Sequence, residues 1–207
     1  MDEPSLSKGE RTRRAILEAA YALFIEQGYT ATSMRQIAER TGLALGGIYN
    51  HFPNKAAIFS ELILDRHPYR QVLPVLRDAP ADDPETFVRA AAQAIIAELG
   101  RRPDFIKLMF IEIVEFNGRN MPKIMTHILP EVLPLIQRFN AQLGLLRDIP
   151  PAILFRAFLG LFFSYYMTEL MIAGTPFAST QPHALDHFVD IFLHGVLKSP
   201  DENRSQK

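Results

Sequence analysis

Apolar residues recur with a helical period along most of this chain. Between Thr12 and Gln27 they fall at Ile16, Ala19, Ala20, Leu23 and Phe24, a spacing near 3.6 that predicts one amphipathic helix. Gly28 is placed to end it in a left-handed cap, and Thr32 or Ser33 to cap the next. Ile37 and Ala38 form the buried side of a second helix, and Leu45–His51 a very short third one. A fourth runs over about Lys55–His67. His67-Pro68 and the segment 78–84 (DAPADDP) interrupt the pattern. Further helices are predicted at about 84–99, 103–116, 121–144, 150–173 and 182–198, their ends marked by Gly100, Pro103, Gly118, Gly144, Pro150, Gly174 and Pro182. The expected fold class is therefore all-α. A small helical head over 9–67 precedes a helical body over 68–199, and 200–207 form a polar, disordered tail.

The stretch Ser33–Lys55, SMRQIAERTGLALGGIYNHFPNK, carries the strongest motif. Two short helices flank a glycine-containing turn, Thr41-Gly42-Leu43-Ala44, which is the helix-turn-helix pattern. Such a unit places its second helix in the major groove of DNA. Seven residues are too few for a stable isolated helix. Packing of Ile37, Leu43, Ile48 and Phe52 on Leu23 and Phe24 must hold it in place.

Composition adds little for DNA. The net charge is −1, and the first 67 residues hold eight basic and eight acidic side chains. Local runs are more basic: four cations and one acid over Lys8–Arg14, three and one over Ser33–Lys55. Such patches supply phosphate contacts or stand as solvated surface. The chain has no cysteine, which excludes disulfides and thiolate metal sites. Its polar N-terminus has no secretory pattern, so a cytoplasmic protein is expected. Neither an acid–base pair, a phosphate-binding glycine loop nor an HExxH motif argues for an enzyme, and no cofactor or metal is expected.

The N-terminal segment resembles the tetracycline-repressor-like (TetR) family of bacterial transcription regulators. Thr12-Arg13, Ile16-Leu17, Ala19-Ala20, Leu23-Phe24, Gly28-Tyr29, Ser33, Ile37-Ala38, Gly42-Leu43, Gly46, Ile48-Tyr49, Phe52 and Lys55 carry the resemblance over about 11–60. It implies a homodimeric repressor, each subunit with a three-helix DNA-binding head on a helical-bundle body that binds a ligand and dimerises. Two such heads would read double-stranded DNA at a palindromic operator with half-sites about 34–36 Å apart, or a multiple.

Physical roles follow position by position. Tyr49 would give its hydroxyl to a phosphate or stack along a sugar, with simple packing as its other reading. Lys55 would hold a phosphate at a helix start. Thr32 and Ser33 would donate to phosphate while capping. Arg35 matches guanine O6 and N7, or is a surface charge. Asn50 and His51 would reach base edges or phosphates, His51 alternatively packing at the helix end. Thr12 and Arg13 would touch the backbone at the rim. The recognition helix departs from the family, opening Ala44-Leu45-Gly46-Gly47. Leu45 cannot hydrogen-bond a base but could touch a thymine methyl, while Gly46 and Gly47 permit close backbone approach to DNA, which leaves more of the readout to Arg35 and DNA shape.

In the body, 150–173 is the most apolar segment. Arg156 and Glu169 interrupt it, so it reads as a buried helix rather than a membrane span. With 182–198 it would build the dimer interface. Met109, Phe110, Glu112, Ile113, Phe116, Met121, Phe162, Phe163 and Tyr166 either line a pocket for an apolar or aromatic effector or form ordinary core. Glu112 would pair with Arg156 or Arg119, or meet a cationic ligand. His183, His187, Asp190 and His194 share one helical face at a metal-capable spacing, opposite the apolar face that directs them to solvent.

Overall fold

The computed structural model describes residues 6–79, 83–143, 147–176 and 183–197. The expected tail at 200–207 and the breakers Gly144 and Pro182 lie outside these residues. Among the described residues, ten α-helices follow one another: α1 Lys8–Gln27, α2 Met34–Thr41, α3 Leu45–Tyr49, α4 Lys55–Asp65, α5 Tyr69–Asp78, α6 Pro84–Arg101, α7 Pro103–Phe116, α8 Met121–Leu143, α9 Pro151–Ile172 and α10 Ala184–Val196. They form two compact units. One comprises the chain up to His67 together with Arg102–Ile124; the other takes Pro68–Arg101 and the chain from Met125 onward.

In the first unit α1 begins a full turn before Thr12. Ser7 caps it: the Ser7 hydroxyl accepts from the Glu10 amide at 3.2 Å, and the Ser7 amide donates to the Glu10 carboxylate at 2.8 Å. This reciprocal capping turns the basic run Lys8–Arg14 into helix surface rather than a free arm. Ile16, Ala20 and Phe24 of α1, Ile37 of α2, Ile48 of α3, Phe52, and Ile58, Phe59, Leu62 and Ile63 of α4 are all buried.

Helix α7 completes this unit. Phe116 stacks on Phe59 with ring centroids 4.6 Å apart and meets Tyr29 edge-on at 4.8 Å. Phe24 closes the cluster against Tyr29 and Phe59. The Thr30 hydroxyl donates to the Glu115 carboxylate at 2.7 Å. His67 lies edge-on to Phe105, and burial pushes its pKa down to about 4. The turn after α7 uses two left-handed residues, Asn117 (φ 50°) and Gly118 (φ 73°), to fold Asn120 back onto the helix. There Glu112 is fully buried and accepts from the Asn120 amide at 2.6 Å and from its side-chain amide at 2.7 Å. This corrects the expected pairing with Arg156 or Arg119: the carboxylate is satisfied by N–H donors of its own turn.

The second unit contains a helix that the sequence pattern does not reveal. In α5, Val72, Leu73 and Leu76 are buried on one face, although Pro74 sits inside the helix and removes one N–H donor. Helices α6, α9 and α10 share a core of Val88, Ala92, Leu154, Phe162, Val189, Phe192, Leu193 and Val196. Phe158 packs on Phe162 at 4.6 Å, and Tyr166 donates its buried hydroxyl to the Leu99 carbonyl at 3.0 Å. One described helix, α9, is long and apolar enough to cross a membrane. It packs on α6 and α10 along one side and leaves Ile153, Leu170 and Met171 exposed. The histidines of α10 do not converge. His183 pairs with Asp186 at 3.3 Å and His194 with Asp190 at 3.2 Å, and no metal-holding cluster occurs among the described residues.

Candidate nucleic-acid interface

The helix-turn-helix is assembled by backbone hydrogen bonds at both of its ends. Ser33 caps α2 by accepting from the Gln36 amide at 3.2 Å, while its own amide donates to the Gln36 side chain at 2.8 Å. Gly42 ends α2 in the left-handed conformation (φ 70°), which a glycine adopts without steric cost. Its amide reaches the Glu39 carbonyl, and the Leu43 amide the Ala38 carbonyl. Helix α3 then starts at Leu45 with no side-chain cap, because Ala44 has none to offer. Ile48 anchors it in the core, and Phe52 follows with its amide on the Ile48 carbonyl at 3.0 Å.

That anchoring fixes what α3 presents outward. Leu45 is 41% exposed and Tyr49 50%, and Gly46 and Asn50 are exposed beside them. A Cβ built on Gly46 would meet nothing within 4 Å, and at Gly47 it would reach only Leu43 Cβ at 4.0 Å. Neither glycine is required by the packing of the protein, and each costs about 1 kcal/mol of helix propensity relative to alanine.

Three residues expected to face DNA make bonds within the head. The Arg13 guanidinium grips Glu61 of α4 through two nitrogens, donates to the His51 carbonyl at 2.9 Å and lies 4.1 Å over the Phe52 ring. The Glu61 hydrogen bond raises its pKa further. Arg13 thus braces α1, the end of α3 and α4, and His51 is half-buried under it. The Lys55 ammonium donates to the carbonyls of Tyr29 and Thr32 and sits 4.1 Å over the Tyr29 ring. Burial lowers its pKa, and the nearby Glu115 carboxylate opposes that shift. Thr32 is buried. Its hydroxyl donates to the Gly28 carbonyl at 2.8 Å and accepts from Gln27, so Ser33 alone caps α2. In each case an internal carbonyl or carboxylate engages the polar group, although the Arg13 side chain keeps 40% of its surface exposed.

Arg35 is well exposed on α2, held to Glu39 one turn along at 3.0 Å. Thr12 is half-buried on α1, its hydroxyl on the Lys8 carbonyl at 3.0 Å. It shares a shallow groove of about 410 Å³ with Lys8, Arg11, Ala15, Thr41 and Leu43. Lys8 and Arg11 are exposed there, with no ion pair among the described residues. In the sequence they belong to the basic run Lys8–Arg14 but are not distinguished within it. Their signal lies in the Ser7–Glu10 cap, which sets Lys8, Arg11, Thr12 and Ala15 at the one-face spacing of a helix.

The expected pocket residues divide between the two units. Met109, Phe110, Glu112, Ile113, Phe116 and Met121 belong to the first; Phe162, Phe163 and Tyr166 belong to the second. Phe116, Phe162 and Tyr166 are packed core, the second of the two roles open to them from sequence. Phe110, Ile113 and Phe163 are exposed.

Residues 16–62 match the model for bacterial regulatory proteins of the tetR family. The chain belongs to that family. The regulator AcrR of Shigella flexneri is 39% identical over 62 residues, covering 30% of this chain and 29% of that protein. The "Probable acrEF/envCD operon repressor" of Escherichia coli (strain K12) is 26% identical over 206 residues, 93% of this chain and 89% of that protein. The solved structure of NalD, secondary repressor of the MexAB-OprM multidrug efflux pump in Pseudomonas aeruginosa, superposes with a TM-score of 0.65 at 25% identity, covering 93% of this chain and all (100%) of that one. The chain is a DNA-binding, TetR-family transcriptional regulator.

Proposed function

We propose that this regulator is a homodimeric repressor that works in the cytoplasm, sits on a palindromic operator and leaves it when a small apolar or aromatic molecule binds its body. The observation that carries the DNA-reading part is the outward face of α3: Leu45, Gly46, Tyr49 and Asn50 stand together in solvent, with two glycines that the protein's own packing does not require. Arg35 of α2 and Ser33, its N-cap, are exposed as well. The repressor reading draws on the E. coli and P. aeruginosa relatives. The dimer reading draws on the apolar side chains of α9 and α10 left exposed in one protomer, Met171 and Ile191 most of all. The effector must favour one of two body states over the other, because equal affinity for both shifts nothing.

Selection of bound sequences from a random DNA pool by the full-length protein tests this reading. A discrete palindrome is the expected result, and protection with no preferred sequence overturns it. Phosphate contacts are assigned to Lys8 and Arg11 rather than Arg13. Lys8→Gln with Arg11→Gln is expected to flatten the dependence of log K on log[salt] by about 0.9 for each phosphate that these cations neutralise. Arg13→Gln is expected to lower thermal stability and leave that slope in place, as read by salt titrations of operator binding beside melting curves.

A further inference from the structure

Helix α3 carries a reader of unusual chemistry. Its N-terminal half has one side chain larger than hydrogen, Leu45, and that side chain is exposed on the face that also bears Tyr49 one turn later. Gly46 and Gly47 beside it add no side chain, and above Gly46 the space is open. Nothing in this half of the helix donates or accepts a side-chain hydrogen bond, so it cannot read a guanine or adenine edge through paired bonds. What it offers a base pair is an isobutyl group standing on a flat glycine floor. In the major groove the complementary feature is the C5-methyl group of a pyrimidine, which only thymine carries among the ordinary bases.

We propose that Leu45 is a specificity-determining residue that selects a thymine in each operator half-site by enclosing its C5-methyl group against α3. This rests on the proposed DNA-reading role of α3 and adds the chemistry that its first turn recognises. Polar discrimination then falls to residues further out, Asn50 on the same segment and Arg35 on α2. The glycines let α3 approach closely enough for the leucine to cover the methyl group rather than brush it.

The test uses the full-length protein and the palindrome obtained by selection. Each thymine of the half-site is replaced in turn by deoxyuridine, which removes only the methyl group. At one position the wild-type protein is expected to lose about fourfold in affinity per half-site, and about fifteenfold when both half-sites are changed. Leu45→Ala is expected to bind the thymine and deoxyuridine duplexes alike, with melting curves showing that the head is intact. At the same position a cytosine should bind more weakly than its 5-methylated form with wild type and equally with Leu45→Ala. Indifference of the wild type to deoxyuridine at every thymine overturns the inference, as does a penalty that Leu45→Ala retains in full. Either result leaves the selected palindrome, and so the DNA-binding reading, standing. Failure to select any palindrome removes both.

Discussion

Phe116→Ala is expected to destabilise the N-terminal unit by about 3–4 kcal/mol. The ring is buried between Phe59 and Tyr29, parallel to the first to within 5° and edge-on to the second. Its removal leaves a cavity whose walls are the aromatic faces that join α1, α4 and the loop before α2. Lys55 closes over the same Tyr29 ring, so the loss should spread to the carbonyl hydrogen bonds that fix residues 29–32. Denaturant melts followed by circular dichroism measure the size. Hydrogen exchange over α1 and α4 locates it, since a side chain lining only an effector pocket would leave those amides as protected as before. Phe163→Ala, at an exposed ring, serves as the comparison and should cost under about 1 kcal/mol. Equal effects of the two variants would refute the packing argument.

The second large effect has opposite signs in two measurements. Gly46→Ala should stabilise the free head by up to about 1 kcal/mol, because its Cβ meets open space and alanine favours the helix. The same methyl group placed in a close interface should weaken operator binding by about 1–3 kcal/mol, roughly 5- to 150-fold. Gly46→Val should weaken binding further while giving back the gain in stability, since β-branching disfavours helix. Melting temperature and operator affinity are read on the same samples. A stabilised variant that still binds with full affinity would show that the glycine is not there for close approach.

How far the sequence discloses this structure depends on the range of the interaction. Local rules serve well. Gly42 in the turn, Ser33 as N-cap and the burial of Ile37, Ile48 and Phe52 all follow from residues a few positions apart, whereas the left-handed cap expected at Gly28 forms at Gly42, Gly28 having a ψ of 165°. The Ser7–Glu10 cap is equally local, but the polar run around it reads just as readily as an arm. Helix α5 hides behind Pro68 and Pro74, because two prolines so close to a boundary outweigh a few apolar positions. The site residues are harder. Whether Arg13 faces phosphate or protein is decided by Glu61, 48 positions away, and Lys55 is claimed by carbonyls of residues far earlier in the chain, Tyr29 and Thr32. Charge is visible in a sequence, but the partner that neutralises it is not. The same holds for Glu112, whose donor lies in a turn that the left-handed Asn117 and Gly118 create.

The return of residues 102–124 to the DNA-reading unit has a practical corollary for protein engineering. A chimera that grafts this head onto a foreign sensor at a single splice near residue 67 would strip Phe59 and Tyr29 of their cover and leave an oily scar. A transplant meant to stay soluble needs two junctions and must carry α7 along as a passenger.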